Sequence, residues 1–116
     1  MIARIWHGWT TVDNAEAYLQ LLQNKVLPDI QARQISGYLG AEVLRREISS
    51  SSSQSSSDEV TEIEFVTILR FESLDSIRNF VGEDHEVAHV PDSARQLLTR
   101  FDARSVHYQS VFESQF

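Results

Sequence analysis

The segment IEFVTILRF, residues 63–71, carries apolar side chains on both of its alternating faces. One face holds Ile63, Phe65, Leu69 and Phe71, and the other holds Val66 and Ile68. A second segment of this kind, IARIWHGW at residues 2–9, opens the chain. Strands that are covered on both faces have this pattern, so both segments are predicted to be central strands of one sheet.

A helical pattern follows each of these strands. In the first helix, apolar residues recur at three- and four-residue steps, at Ala15, Tyr18, Leu19, Leu22 and Val26. Asp13 is its predicted N-cap. Pro28 would cost roughly 3 kcal/mol inside a regular helix, so this helix is expected to end or kink near Leu27 and to resume as a short turn. The second helix is predicted to begin after Ser73 and to end at Gly82.

Three further segments complete the element order. Residues 38–48 are predicted to form an edge strand, because charged residues interrupt the apolar ones. A short helical turn is expected after Pro91, and residues 101–112 alternate as a last strand. Residues 49–57 are serine at every position except Gln54, a composition typical of flexible linkers, so we predict a hairpin loop at residues 49–58. A phosphorylation tract or a substrate lid is the alternative there.

The order of elements is strand, helix, strand, long loop, strand, helix, strand, within a single domain of residues 1–116. This order predicts an α+β fold, the ferredoxin-like split β-α-β sandwich, an antiparallel sheet with two main helices on one face. Right-handed crossovers predict a parallel central pair of first and third strands, with the second and fourth at the edges. Because two helices cover one face only, a second copy of the chain is expected to cover the other.

Composition narrows the classes of function. The chain has 116 residues and a formal net charge of -7, which opposes binding to a nucleic-acid backbone. It has no cysteine, which excludes disulfides and thiolate sites and favours a reducing compartment. The first residues enter a strand without a signal-peptide pattern, and no later run reaches membrane-spanning length. We therefore expect a cytoplasmic protein without nucleic-acid or membrane partners.

Over nearly its whole length the sequence resembles the antibiotic biosynthesis monooxygenase-like proteins of the dimeric α/β-barrel superfamily. The resemblance rests on residues 2–9, on Gly37-Tyr38 leading into residues 41–47, on residues 65–73 ending in Phe71-Glu72-Ser73, and on Phe101-Asp102 and His107-Tyr108. It implies a homodimer whose two sheets form a barrel, with one pocket per subunit between the sheet and the second helix. Members include cofactor-independent oxygenases of polyphenols and quinols, haem-degrading enzymes, and proteins without an assigned activity.

The haem-degrading branch of this family can be compared with the chain residue by residue. That branch uses a histidine at the end of the second-helix region, a tryptophan where the third strand ends, and an asparagine on the first strand. Here His89 matches the histidine, but Phe71 stands in the tryptophan position. The first strand offers His7 and Gly8 and no asparagine. Haem degradation is therefore the less favoured activity.

Three histidines are the candidate catalytic residues. His7 lies between Trp6 and Trp9, where a neutral imidazole is suited to accept a phenolic proton; the alternative is a histidine hydrogen-bonded within the packed sheet. His85 and His89 are four residues apart, the spacing that places two rings on one face of a helix. Proton transfer or substrate orientation is favoured over a metal site, because no third ligand stands at a defined spacing.

The predicted substrate-binding residues are Trp6, Trp9, Phe71, Arg70 and Tyr38. The three aromatic residues on the central strands are expected to shape an apolar pocket, although large aromatics on such strands are also typical of a core. Arg70 is expected to pair with Glu62 or Glu64 on its own strand, and a substrate carboxylate is the alternative partner.

Together these features favour a cofactor-independent monooxygenase-like enzyme that acts on a small aromatic, polyphenol or quinol. In this hypothesis a histidine removes a phenolic proton, and the electron-rich anion then reacts directly with oxygen. Neither a metal nor a cofactor is predicted. The alternative is a non-catalytic ligand-binding or structural dimer of the same fold. A histidine-bearing apolar pocket would favour the enzyme, and a pocket filled by Trp6 and Trp9 would favour the alternative.

Overall fold

The computed structural model describes residues 1–50 and 59–115. In chain order its elements are β1 (Ile2–Thr10), α1 (Ala15–Leu21), a π-helical segment (Leu22–Val26), α2 (Leu27–Ala32), β2 (Tyr38–Ser50), β3 (Glu59–Phe71), α3 (Leu74–Val81), α4 (Asp92–Arg95), β4 (Leu98–Phe101) and β5 (Val106–Gln109). The predicted serine loop falls mostly on residues 51–58, outside the described residues. Ser49 and Ser50, which were predicted to lie in that loop, belong to β2 instead.

The sheet is built around β1 and β3. Strand β3 lies between β2 and β1, and the other edge of β1 pairs with β4 and β5. Every described pairing is antiparallel. The central position of the first and third strands is confirmed, but the prediction that they run parallel is wrong. The crossover through the first helix makes β1 and β2 parallel, and β3, which pairs with β2, inserts between them and runs opposite to both.

The last strand is two strands. β4 begins at Leu98, earlier than the predicted residues 101–112, and β5 ends at Gln109. Between them the chain leaves β1, because the backbone N–H of Ser105 donates to the carbonyl of Glu86 at 2.7 Å. This pairing to a distant segment interrupts a stretch whose local pattern is that of one continuous strand.

The predicted end or kink near Leu27 takes the form of a change of helix type, and the helix then resumes as the short α2, which contains Pro28. Asn14 occupies the N-cap position of α1, one residue after the predicted cap Asp13, and its side chain makes no capping hydrogen bond. Between α1 and α2 the helix widens to a π-helical turn, in which Leu27 donates its N–H to the carbonyl of Leu22, five residues back. This wider turn lets the helix continue past a proline, which has no N–H to donate.

The second helix has its predicted bounds. Ser73 caps α3 by accepting a hydrogen bond from the N–H of Ser76 at 3.3 Å, and Gly82 ends it with a φ of 97°. The start of α3 is tied to the start of β2, because Gly37 accepts from the N–H of Glu72 at 2.8 Å. None of the described helices is long and apolar enough to cross a membrane.

The helices pack on one face of the sheet. The buried core on that face includes Tyr18, Leu22, Val26, Ile30, Phe65, Leu69, Phe71, Ile77 and Phe80. The other face, here called the open face, has an apolar patch of half-buried and exposed residues: Ile5, Leu44, Val66, Ile68, Val106 and Tyr108. Ile5 lies opposite Ile68 on β3 and Val106 on β5, so this patch crosses the sheet as a continuous row.

Candidate functional site

A cavity of about 50 Å³ lies between the helices and the sheet and is partly open to solvent. Its wall is mostly apolar and aromatic and contains Trp6, Tyr18, Leu22, Val26, Ile30, Leu69, Phe80, Val90 and Ala94. The polar side chains in the wall are Arg4, Thr67, His89 and Ser105. Of the predicted site residues, Trp6 and His89 therefore line this cavity. The cavity is thus apolar and bears a histidine, the combination that favours the enzyme hypothesis.

A buried positive charge lies in the cavity wall. Arg4, on β1, is 3% exposed. Its guanidinium donates to the carbonyls of His85 and Val87, both at 2.5 Å, and lies 3.0 Å from Nε2 of His107. Because a guanidinium only donates, Nε2 of His107 is the acceptor and its proton is on Nδ1. Sequence reasoning missed Arg4, whose signal is a lone charged residue inside the apolar stretch of residues 2–6.

Two histidines near this charge are held neutral. Burial, together with the charge of Arg4, lowers the pKa of His107 to about 4. Burial also lowers the pKa of His89, and the charges of Arg33 and Arg4 add to the effect. The His89 ring packs against Phe80, with ring centroids 5.2 Å apart. The lowered pKa keeps His89 unprotonated at neutral pH, as a general base must be, and also makes it a weaker base than a free imidazole.

His85 and His89 do not share a helical face. Residues 83–91 are not helical, and the two side chains point to different neighbours. The His85 ring lies 5.3 Å from the ring of His107, whereas His89 packs on Phe80. In residues 1–50 and 59–115, no group of three or more His, Asp or Glu side chains is placed to hold a metal ion.

His7 lies on the face of the sheet opposite the cavity, because adjacent residues of a strand point to opposite faces. Its Nδ1 is 2.7 Å from a carboxylate oxygen of Glu64, which is 5% exposed and also accepts from Arg46 at 2.5 Å. Burial alone would raise the pKa of Glu64, but these hydrogen bonds outweigh burial and lower it. His7 is thus hydrogen-bonded within the sheet and does not meet His89.

The other predicted aromatic residues, Trp9, Phe71 and Tyr38, do not lie together in one site. Trp9 lies beside His7, with ring centroids 6.0 Å apart, and the guanidinium of Arg100 lies 4.0 Å from the centre of the Trp9 ring. Phe71 is fully buried in the core, where Tyr38 packs against it with centroids 5.4 Å apart. Trp9, Phe71 and Tyr38 do not line the cavity. Tyr38 borders a separate groove along α2 and β2.

Arg70 does not form the predicted pair with Glu62 or Glu64. Glu62 binds Arg100 of β4 at 3.0 Å, and Glu64 binds Arg46 of β2. Arg46 lies opposite Glu64 on the neighbouring strand β2, whereas Arg100 reaches Glu62 across the intervening strand β1. Among the described residues, no carboxylate lies within ion-pair distance of Arg70.

No family model and no curated protein matches the chain. Among solved structures, the chain is similar to that of a "putative antibiotic biosynthesis monooxygenase" from Bacillus cereus, with a TM-score of 0.61. The match covers 99% of this chain and 98% of that chain at 12% sequence identity. The chain has the same fold as that protein. At this identity the likeness shows the fold alone, and it confirms the predicted ferredoxin-like architecture.

The cavity differs in one respect from the expected pocket between the sheet and the second helix. Its helical wall comes mainly from the first helix, through Tyr18, Leu22, Val26 and Ile30. Phe80 is the residue of α3 that lines it. The continuous helix through Pro28 explains this, because it carries Ile30 over the sheet beside the cavity.

Proposed function

We propose that the protein is a cofactor-independent monooxygenase-like enzyme whose substrate, a small phenol or quinol, binds in the cavity beside Trp6 and His89. The observation that carries the proposal is an imidazole with a lowered pKa in the wall of an apolar cavity. The fold shared with the Bacillus cereus protein supports the same reaction class. This support is by analogy of fold, and the chemistry rests on the cavity residues.

His89 is the proposed general base. It takes the proton of a phenolic hydroxyl, and the phenolate that forms is rich enough in electrons to reduce oxygen. For a hydroquinone the reaction balances without a further reductant: the quinol and O2 give a hydroxyquinone and water. The ring supplies all four electrons, one oxygen atom enters the ring, and the other leaves as water. The imidazolium returns its proton to the reduced oxygen.

Trp6 is the proposed stacking surface for the substrate ring. Its indole N–H donates to the carbonyl of Asp102 at 2.6 Å, and its ring packs near Phe101 with centroids 6.0 Å apart. A Cβ at Gly8 would lie 2.8 Å from the Trp6 ring, so a glycine there makes room for it. These contacts fix the indole along the cavity, where planar rings stack favourably.

The active molecule is proposed to be a homodimer that forms through the open face. Leu44, Val106 and Tyr108 are 46%, 51% and 58% exposed, on a sheet whose helices cover the other side. Exposed apolar patches of this kind are typical of interaction sites. A second copy, related by a two-fold axis, would bury the patch against itself.

Oxygen uptake by the pure protein with a panel of small hydroquinones and dihydroxybenzoates tests the proposed function. Wild-type protein is expected to consume oxygen with at least one of them. His89→Gln keeps a polar side chain of similar size but removes the base, and should lower the rate by about 100-fold or more. His7→Gln makes the same change on the opposite face and should leave the rate close to wild type.

Two results would contradict the proposal in different ways. Absence of uptake with every compound would leave the non-catalytic ligand-binding or structural dimer as the better account. A rate lost in His7→Gln and kept in His89→Gln would place the base on the open face instead.

A further inference from the structure

The cavity holds a buried cation that the proposed reaction does not use. We infer that the ligand of this cavity is a single-ring aromatic acid whose carboxylate binds Arg4. The inference deepens the proposed function and rests on it, because it names the substrate class of the same cavity. Its basis is the position of Arg4, which lines the cavity and is 3% exposed.

Two of the N–H donors of Arg4 have no acceptor among the described residues. A guanidinium has five such donors. Nη1 donates to the carbonyl of His85 and to Nε2 of His107, and Nη2 donates to the carbonyl of Val87. The donors that remain are on Nε and Nη2, two nitrogens of the same planar group. Their spacing matches the two oxygens of a carboxylate, which arginine binds in bidentate fashion.

No described carboxylate of the chain neutralises Arg4. The acidic side chains closest in sequence to its carbonyl partners, Asp84 and Glu86, bind Arg104 at 2.6 and 3.1 Å. A buried charge without a partner of opposite sign is costly, and hydrogen bonds to neutral carbonyls compensate it only in part. A ligand carboxylate would supply the missing negative charge.

A second positive charge, that of Arg33, lies near Arg4. The guanidinium groups of Arg4 and Arg33 lie 5.6 and 5.1 Å from the centre of the Phe80 ring. The same two charges add to burial in lowering the pKa of His89. The net charge of the whole chain, -7, disfavours anions in general, so a preference for an anion would come from this local group.

The size of the cavity limits the ligand to one ring. Its volume of about 50 Å³ is well below the roughly 150 Å³ of an apolar cavity that encloses benzene. The carboxylate and the edge of one ring fill such a space, and the rest of the ring lies in the open mouth. The apolar and aromatic wall around Arg4, with Trp6, Tyr18 and Leu69, suits the ring.

Benzoate and benzamide test the inference, because they share one ring and nearly one shape and differ in charge. Each is titrated into 15N-labelled protein at neutral pH and low ionic strength, and the indole N–H signal of Trp6 reports binding. Wild-type protein should bind benzoate at least about tenfold more tightly than benzamide. Arg4→Met should abolish the difference. Arg100→Met removes one arginine from the opposite face and should keep it.

Arg4 also holds the backbone of residues 85–87, so Arg4→Met can disturb the fold as well as the site. Two further comparisons therefore keep the test independent of this variant. Arg4→Lys keeps the charge without the planar fork and should retain part of the preference, and the wild-type comparison needs no variant. Equal affinity for the two compounds, or binding of neither, overturns the inference. Oxygen uptake is read separately: an inactive protein that prefers benzoate refutes the monooxygenase proposal and keeps the carboxylate site.

Discussion

At the residue scale, the contact between Arg4 and His107 couples the cavity wall to pH. Their nitrogens are 3.0 Å apart, and a protonated His107 would place two positive charges at that distance. Arg4, His85 and Glu86 are the charged or titratable groups that face His107 and influence its pKa. Glu86 opposes the shift, but burial and Arg4 prevail. The folded protein therefore keeps His107 neutral over a pH range in which the unfolded chain protonates it.

The fold should lose stability as pH falls from about 6.5 towards about 4, because the pKa of His107 drops from 6.5 to about 4 on folding. Above pH 6.5, the ordinary value of its pKa, His107 is neutral in both states and does not lower the free energy of unfolding. Below that pH the unfolded chain binds the proton more readily than the folded protein, which favours unfolding. His107→Gln keeps a neutral hydrogen-bonding side chain that does not titrate. Its thermal midpoint should fall less than that of wild type between about pH 7 and about pH 5.

His89 contributes in the same direction, since its pKa is lowered too. The double variant His107→Gln and His89→Gln should therefore show the flattest pH dependence of the three proteins. A wild-type midpoint that does not change over this range, or one that falls equally in wild type and His107→Gln, would rule out this role of His107.

Candidate residues that adjoin in sequence are separated by the alternation of the strand. The sequence groups Trp6, His7 and Trp9 in one site, but Trp6 lines the cavity while His7 and Trp9 share the open-face side. A polar residue inside an apolar strand indicates a candidate site, and the alternation of side chains shows which residues share its face of the sheet. Which parity faces a cavity depends on the packing of distant helices, which local patterns do not contain. Arg4 was missed for that reason.

At the element scale, the close contact between the start of β2 and the start of α3 depends on Gly37. Its φ is +86°, and a Cβ there would lie 1.9 Å from the hydroxyl oxygen of Ser76. Gly82, which ends α3, also has a positive φ, of +97°, but a Cβ there would meet no heavy atom within 4 Å. Both glycines thus have a positive φ that other residues rarely adopt. Of the two, only Gly37 is also sterically crowded.

Gly37→Ala should therefore destabilise the protein more than Gly82→Ala, measured by urea unfolding. Gly82→Ala should cost roughly 1–3 kcal/mol, because its φ of 97° and ψ of -168° lie in a region that is essentially restricted to glycine. Gly37→Ala should cost about 1–3 kcal/mol more, because it forces an overpacked contact in addition. Ser76→Gly removes the crowding atoms and should cost less in the Gly37→Ala background than alone. Equal losses for the two alanine variants would contradict this packing.

Local periodicity and caps place most elements, as the bounds of α3 between Ser73 and Gly82 illustrate. Two features have causes that local patterns do not contain. A π-helical turn is the form that the predicted irregularity near Leu27 takes, and the last strand breaks because Ser105 pairs with Glu86. Neither the wider turn nor the distant pairing leaves a periodic pattern in the sequence.

At the scale of the whole molecule, the sheet has one covered and one open face. The apolar residues on both parities of the central strands predict that both faces are covered, one by the helices and the other by a second copy of the chain. Face-to-face pairing of two copies remains the proposal that uses the whole patch, because Ile5, Ile68 and Val106 lie in one row across three strands.

Leu44→Asp should convert the proposed dimer to a monomer, because it places a charge in the buried patch. Light scattering at micromolar concentration measures the mass. Leu74→Asp makes the same change on α3, at a side chain of similar exposure, 38% against 46%, and should leave the mass unchanged. A wild-type monomer, or a dimer that survives Leu44→Asp and dissociates in Leu74→Asp, would contradict pairing through the open face.

The central claim is that the ligand binds on the helix side of the sheet, and the two tryptophans allow a direct test. Trp6 lines the cavity and Trp9 lies on the opposite face, so each indole N–H signal reports one face. The signals are assigned with Trp6→Phe and Trp9→Phe, and 2,5-dihydroxybenzoate is titrated into labelled wild-type protein. We expect the Trp6 signal to shift in a saturable way while the Trp9 signal stays in place. A shift confined to Trp9, or no shift of either, would contradict the account.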